Sequence, residues 1–207
     1  MDINKYLFRD EALRGEKLAL KFRWILIIVV LAFVILTYLR GDTKEASFAL
    51  IPSAIFLCYN LLLTYFIKIG RNIYSLRYLS VTLDILILTV HIYINSVFFS
   101  DIAVSTTASI FIYPILMFLS VLRYDKNLIV YATLLSIALF NLNYYLRLNF
   151  IDPQLIEQVI SSDPIGHAYK SGYLLLMGVF FLQIPELVHR YISKQKESLL
   201  KNKLSVI

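Results

Sequence analysis

The chain consists mainly of long apolar stretches separated by short polar segments that hold most of its charge. A helix needs about 20 mainly apolar residues to cross a bilayer core of about 30 Å, and six stretches approach or reach that length. Ten-residue segments of alternating apolar and polar positions, typical of a membrane β-barrel, are absent from the sequence. The pattern therefore predicts an all-α, polytopic membrane protein with six transmembrane helices, at residues 24–39, 48–67, 79–99, 106–122, 128–146 and 169–189.

The segments outside these spans predict three regions. Residues 1–22 mix apolar and charged positions without reaching span length, which is typical of an amphipathic helix lying on the cytoplasmic membrane surface. Residues 23–190 form the six-helix domain, and residues 191–207 predict the start of a cytoplasmic signalling helix. In the long connection before the sixth span, the sequence Asp-Pro occurs at 152 and at 163, and the apolar spacing between these sites predicts a short covering helix.

Composition and charge fix the class of protein and its orientation. Hydrophobic residues make up 59% of the chain and charged residues 16%, which excludes an ordinary soluble domain. A single cysteine excludes a disulfide scaffold. Placing both termini in the cytoplasm puts 16 of the 20 basic residues on that side, so the positive-inside rule predicts this topology in the cell inner membrane. The net charge of +6 then reflects topology, and no nucleic-acid partner is expected.

Ionisable residues within the predicted spans are candidate functional groups, because each costs about 2.5–3.5 kcal/mol to insert into a bilayer. Asp84 and His91 lie seven residues apart on the third span, hence on one helical face. Glu186 and His189 lie at the inner end of the sixth span. Asp84, Glu186 and His189 are the candidate signalling residues, and the alternative for Asp84 and His91 is that each only fixes helix packing.

A second hypothesis concerns a b-type haem in the outer half of the membrane. His91 and His167 are the candidate axial ligands of its iron, since a six-coordinate haem needs two ligands and imidazole is common. Arg147 and Lys170, two of the four outer basic residues, are candidate partners of the propionates. Attachment would be noncovalent, because the chain has no Cys-x-x-Cys-His sequence. The alternative is that His167 is a solvated loop residue.

One stretch carries a resemblance to a known family. It is YPILMFLSVLRYDKNLIVYATLLSIALFNLNYY, residues 113–145. In it an apolar helix runs into a Leu-Arg-x-Asp turn and then into a helix with small residues and a tyrosine. This resembles the fourth-to-fifth span region of the six-helix membrane domains of class III adenylate cyclases. The matching residues are Leu122, Arg123, Asp125, Ala138 and either Tyr144 or Tyr145.

The resemblance implies a membrane input domain, which would receive a membrane or outer-side signal, for example from a small-molecule ligand or a lipophilic ligand. It relays that signal through the sixth helix to a cytoplasmic catalytic domain beyond Ile207. That domain, a lyase forming cyclic AMP from ATP, would hold all the catalytic residues. The resemblance also implies a parallel homodimer, and the small residues Ala168, Gly172 and Gly178 would allow close approach of the sixth helices.

Other readings fit the same pattern. The sensor domain of a histidine kinase or of a diguanylate cyclase also has several spans and a helical exit. A small b-type cytochrome or quinone-binding membrane protein is the alternative from another functional class. A transporter is disfavoured, because no internal repeat is visible in the sequence.

Overall fold

The computed structural model of the chain describes residues 3–69, 73–98, 107–148 and 164–204, with side chains described within 13–69, 76–98, 111–147 and 164–188 and at 190. Every regular element in these ranges is a helix. The six helices are α1 (Ile3–Leu39), α2 (Thr43–Ile69), α3 (Ile73–Phe98), α4 (Thr107–Val121), α5 (Lys126–Leu148) and α6 (Pro164–Leu204).

Five of the helices contain a stretch long and apolar enough to cross a membrane. These stretches are Leu13–Leu39, Thr43–Ile69, Leu76–Phe98, Lys126–Arg147 and Pro164–Val188. The apolar part of α4 is shorter, at Phe111–Val121. The prediction of a helical chain with several membrane-crossing helices is therefore confirmed for the described residues, whereas the count of six spans stays a prediction.

The first helix does not stop where the sequence predicts a boundary. α1 runs without a break across the expected division at residues 22 and 23. Its buried face below that division is formed by Gly15, Glu16 and Ala19, so this part of the helix packs against the rest of the protein. Residues 13–22 are thus an extension of the first membrane-crossing helix, and the position of residues 1–12 on a membrane surface stays a prediction.

The centre of the fold is α5, which packs against α3, α4 and α6. Large buried side chains from these helices, among them Tyr113, Phe140 and Tyr144, form the core. α2 lies at the edge of the bundle and packs against α1 and α3.

The helices alternate in direction, so the bundle has two ends. The Arg123 end holds the first half of α1, the start of α3, the α4–α5 turn and the later part of α6. The His167 end holds the α1–α2 turn, the end of α3, the end of α5 and the start of α6. The sequence predicts that the Arg123 end faces the cytoplasm.

The structure describes the predicted signalling helix at the end of the chain but not the predicted covering helix. The covering helix at 152–163 lies outside the described residues. α6 is helical to Leu204, about 24 Å beyond the end of its membrane-crossing stretch at a rise of 1.5 Å per residue. The described part of the predicted signalling helix is therefore helical and continuous with the last apolar stretch.

Candidate functional site

A buried ion pair joins α1 to α3. The Arg23 Nε lies 3.1 Å from both carboxylate oxygens of Asp84, and Arg23 Nη2 also donates to Asp84 Oδ2. The two side chains are 1% and 2% exposed. The Arg23 guanidinium also lies over the Tyr59 ring of α2, 5.8 Å from its centroid. The predicted signalling residue Asp84 is therefore neutralised by α1, so it does not lie in an open polar site.

A second buried group of charges lies about two helical turns away from this pair. Glu16 Oε1 is 3.1 Å from Arg77 Nε and 2.9 Å from Arg123 Nε, so one carboxylate oxygen faces two guanidinium groups. Arg123 Nη2 also donates to Ser80 Oγ at 2.5 Å. Because Glu16 belongs to α1, Arg77 to α3 and Arg123 to the α4–α5 turn, these contacts hold three parts of the chain together.

Five buried charged residues and the partly buried Asp125, whose Oδ2 lies 3.9 Å from Arg77 Nη1, define the Arg123 junction. The five buried residues are Glu16, Arg23, Arg77, Asp84 and Arg123. Burial lowers the pKa of the Arg123 guanidinium and the positive charge of Arg23 lowers it further, whereas Glu16 and Asp84 raise it. An arginine keeps its proton in proteins, so Arg123 stays charged and needs the nearby carboxylates.

The α4–α5 turn owes its shape to three local features. Tyr124 has a φ of 54°, in the left-handed region that non-glycine residues rarely adopt. Asp125 Oδ1 accepts hydrogen bonds from the backbone N–H groups of Asn127 and Leu128 at 3.0 and 3.3 Å, which caps α5. Gly15 of α1 lies against this turn so closely that a Cβ there would be 2.9 Å from Arg123 Cα.

The α4–α5 turn is also connected to α6. Lys126 Nζ lies 3.1 Å from Glu186 Oε2, and Arg190 Nη2 lies 2.5 Å from Glu186 Oε1. These three side chains are exposed, so their pairing is weak compared with the buried contacts. Glu186 is thus the predicted residue that links α5 to the exit of α6, whereas the side chain of His189 lies outside the described residues.

At the opposite end of the bundle, His167 is buried in a stack of rings. Its imidazole is 3% exposed and lies parallel to the Phe140 ring at 4.3 Å and to the Tyr144 ring at 3.8 Å between centroids. If the Phe140 and Tyr144 rings lay on the same face of the imidazole at these distances, they would overlap each other. The two rings therefore cover opposite faces of the imidazole. His167 is therefore a packed residue of the α5–α6 interface and not a solvated loop residue.

His91 faces a different neighbour. Its Nε2 lies 3.3 Å from Asn95 Nδ2, and Phe98, two turns farther along α3, stacks on Phe48 of α2. Thr89 marks the side of α3 that faces α4, because its hydroxyl lies 3.0 Å from the hydroxyl of Tyr113 in α4. His91 is about 200° around the helix from Thr89. His91 is therefore on the α2 side of α3.

The structure gives the two predicted haem ligands different neighbours. Axial ligands must reach one iron from opposite sides, but His91 lies towards α2 and His167 lies within rings of α5. Of the two propionate candidates, Arg147 donates from Nη2 to Ser96 O of α3 at 2.9 Å, and Lys170 is half-buried one turn after His167. Haem binding by these residues stays a prediction.

The three small residues predicted to permit dimer formation separate into two kinds. A Cβ on Gly178 would lie 2.4 Å from Thr133 Cγ2, so this glycine serves the packing of α6 on α5 within the chain. Ala168 is exposed, and so is Gly172, which has open space around its Cβ position. Only Ala168 and Gly172 are thus available to a second copy.

Most members of the Arg123 junction were missed as site residues by sequence reasoning. Arg23, Arg77 and Arg123 count in the sequence as basic residues that set topology, and Glu16 as part of an amphipathic helix. One signal was present, because Glu16 is the only acidic residue between positions 13 and 39. Which basic groups it meets depends on which helices are neighbours, and the sequence pattern does not contain that information.

No protein-family model, no curated protein and no solved structure matches the chain. Its function is therefore inferred from the geometry above and from the resemblance carried by residues 113–145.

Proposed function

We propose that this chain is the membrane input domain of a class III adenylate cyclase. In this proposal it crosses the inner membrane six times, has both termini in the cytoplasm and pairs with a second copy. It relays a signal from the membrane or from its outer side to a catalytic domain that follows Ile207. The resemblance supplies the chemistry of that domain, the formation of cyclic AMP from ATP.

The observation that carries the proposal is the continuity of α6. A single helix, with one internal proline at Pro185, runs from Pro164 to Leu204, so a rotation or shift of its membrane-crossing part has a continuous helical path to the residues after it. A flexible linker after the last apolar stretch would lose such a movement. This geometry suits a domain whose output is mechanical, and it suits a transporter or an electron carrier less.

The Arg123 junction supplies a route by which the other helices act on α6. Glu16 holds Arg77 and Arg123, and the turn that contains Arg123 continues into Lys126, which pairs with Glu186 of α6. Residues Leu122, Arg123 and Asp125, which carry the resemblance, thus lie between α1 and α6. Their position accounts for a Leu-Arg-x-Asp turn in a domain that relays movement.

The proposed homodimer places two α6 helices side by side. Ala168 and Gly172 are four residues apart on the exposed face of α6, a spacing that permits close approach of helix backbones. Cysteines introduced singly at positions 194–204 should crosslink between copies in native membranes. Their failure to do so, with Cys58 replaced by serine in every variant, would contradict the parallel arrangement.

A chimera tests the relay itself. A class III catalytic domain that is active only as a dimer is joined after Ile207, and cyclic AMP is measured in cells lacking their own cyclase. Alanine insertions after Arg190 change the phase of the helix by about 100° per residue. Two residues should therefore abolish the activity, whereas seven residues, close to two full turns, should restore it.

The control is the same series of insertions in the catalytic domain carried by an unrelated membrane anchor. If cyclic AMP production is the same for all insertions, or the same on both membrane domains, the relay through α6 is wrong. A chimera that becomes active only with a histidine kinase output would instead support the sensor-kinase alternative.

A further inference from the structure

The exposed face of α1 changes from apolar to basic along one continuous line. Ile25, Ile28 and Ile35 are exposed by 55–64% and mark the side of the helix that faces lipid. Exposed residues recur along this side at intervals of three and four positions, from Arg14 through Lys17 and Lys21 to Leu39. At 100° per residue this series stays within a sector of about 80°. The three basic residues therefore lie directly in line with the lipid-facing side chains.

The opposite face of the same segment fixes how the basic residues are presented. Gly15 touches the α4–α5 turn, and Glu16 is held by Arg77 and Arg123. Glu16 is the only acidic residue between positions 13 and 39, and its carboxylate is buried away from the line. The carboxylate of Glu16 is thus held away from Arg14, Lys17 and Lys21, and buried contacts prevent the helix from turning.

The level of these residues relative to the membrane follows from their neighbours. Lys21 lies one turn, about 6 Å, before Ile25, and Arg14 lies about 10 Å before Lys21. Trp24, the only tryptophan of the chain, is half-buried at the same level, and tryptophan is enriched at membrane interfaces. Long basic side chains extend towards headgroups while their methylene groups stay on apolar surface.

We propose that Arg14, Lys17 and Lys21 form a binding surface, the α1 basic line, for the phosphate headgroups of anionic phospholipids. The surface combines three fixed cations with an apolar strip that receives the acyl chains of the same lipid molecules. A soluble polyanion would contact the cations but would leave the apolar strip unused, so a phospholipid fits better. The inference does not depend on the proposed cyclase function.

Spin-labelled lipids test the proposal on the full chain in phosphatidylcholine vesicles. The fraction of label immobilised at the protein surface is measured for phosphatidylglycerol and for phosphatidylcholine, and their ratio gives the lipid selectivity. The variant Arg14→Gln/Lys17→Gln/Lys21→Gln should lower that ratio at least about fivefold, since one basic residue near a membrane surface contributes about 1 kcal/mol. High salt should lower the ratio of the unchanged protein in the same direction.

The matched control is Arg40→Gln/Lys44→Gln, which removes two exposed basic residues from the other end of the bundle. It should leave most of the selectivity in place, and far-UV circular dichroism confirms that both variants are folded. Equal loss in both variants would mean that only total charge matters, and this overturns the proposal. Unchanged lipid selectivity in the triple variant also overturns the proposal. The same holds if the triple variant loses only the ability to bind RNA or an acidic peptide.

Discussion

Removing one partner of the Arg23–Asp84 pair should destabilise the protein far more than removing both. The two side chains are 1% and 2% exposed and meet through three nitrogen–oxygen contacts, so neither can reach water when the other is lost. Breaking a buried ion pair from one side costs about 3–5 kcal/mol. Glu16 also attracts Arg23, but its carboxylate already faces Arg77 and Arg123.

We therefore expect Asp84→Asn to lower the free energy of unfolding by about 3–5 kcal/mol, and the apolar double variant Arg23→Met/Asp84→Leu to recover most of it. Reversible unfolding in mixed micelles with increasing dodecyl sulfate, followed by circular dichroism, measures both values. The matched control Glu45→Gln makes the same carboxylate-to-amide change at an exposed site and should stay within about 0.5 kcal/mol.

The result that refutes this reasoning is specific. If Asp84→Asn costs no more than Glu45→Gln, the buried charge on Arg23 has another partner or is reached by water. If the double variant is as unstable as Asp84→Asn, the pair stabilises the fold as an ion pair, and its apolar replacement does not pack.

Three further outcomes follow from other parts of the structure. Gly178→Ala should lower the stability of the fold by about 1–3 kcal/mol because its Cβ would overlap the Thr133 side chain, whereas Gly172→Ala should be nearly neutral. Adding Thr133→Ala to Gly178→Ala should restore the stability. Melting temperatures of the three single variants and this double variant check this, and equal effects at the two glycines would contradict it. Tyr124→Gly should relieve about 1 kcal/mol of left-handed backbone strain, measured in the same unfolding assay, and a clear loss of stability would show that the exposed ring has a packing role. If the haem hypothesis is right, protein purified from haem-supplemented cells should show a Soret band that His91→Ala and His167→Ala each remove; a colourless preparation would contradict it.

The helices of this protein could be predicted from the sequence because each depends on local composition. Apolar stretches of adequate length predict the membrane-crossing helices, and Asp125 is a typical capping residue at the start of α5. The continuity of α1 across residues 22 and 23 is less evident from the sequence, because the buried partner of the charged Arg23 is Asp84, 61 positions away.

The candidate site could be predicted only in part, for a similar reason. Asp84 was recognisable because a carboxylate within an apolar stretch needs an explanation. The residues that surround it, and the separation of His91 from His167, depend on which faces of which helices meet. A periodic pattern shows that a residue lies on a buried face but does not identify the helix across from it.

The pairing of Arg23 with Asp84 also sets an order of events during synthesis of the chain. The two residues are 61 positions apart, so at about 5–20 residues per second the carboxylate emerges about 3–12 s after the arginine. During that interval Arg23 lacks the carboxylate that neutralises it in the folded protein. The contact that joins the first helix to the third can therefore form only after the third helix has been synthesised, and a ribosome stalled between the two residues leaves a chain without it.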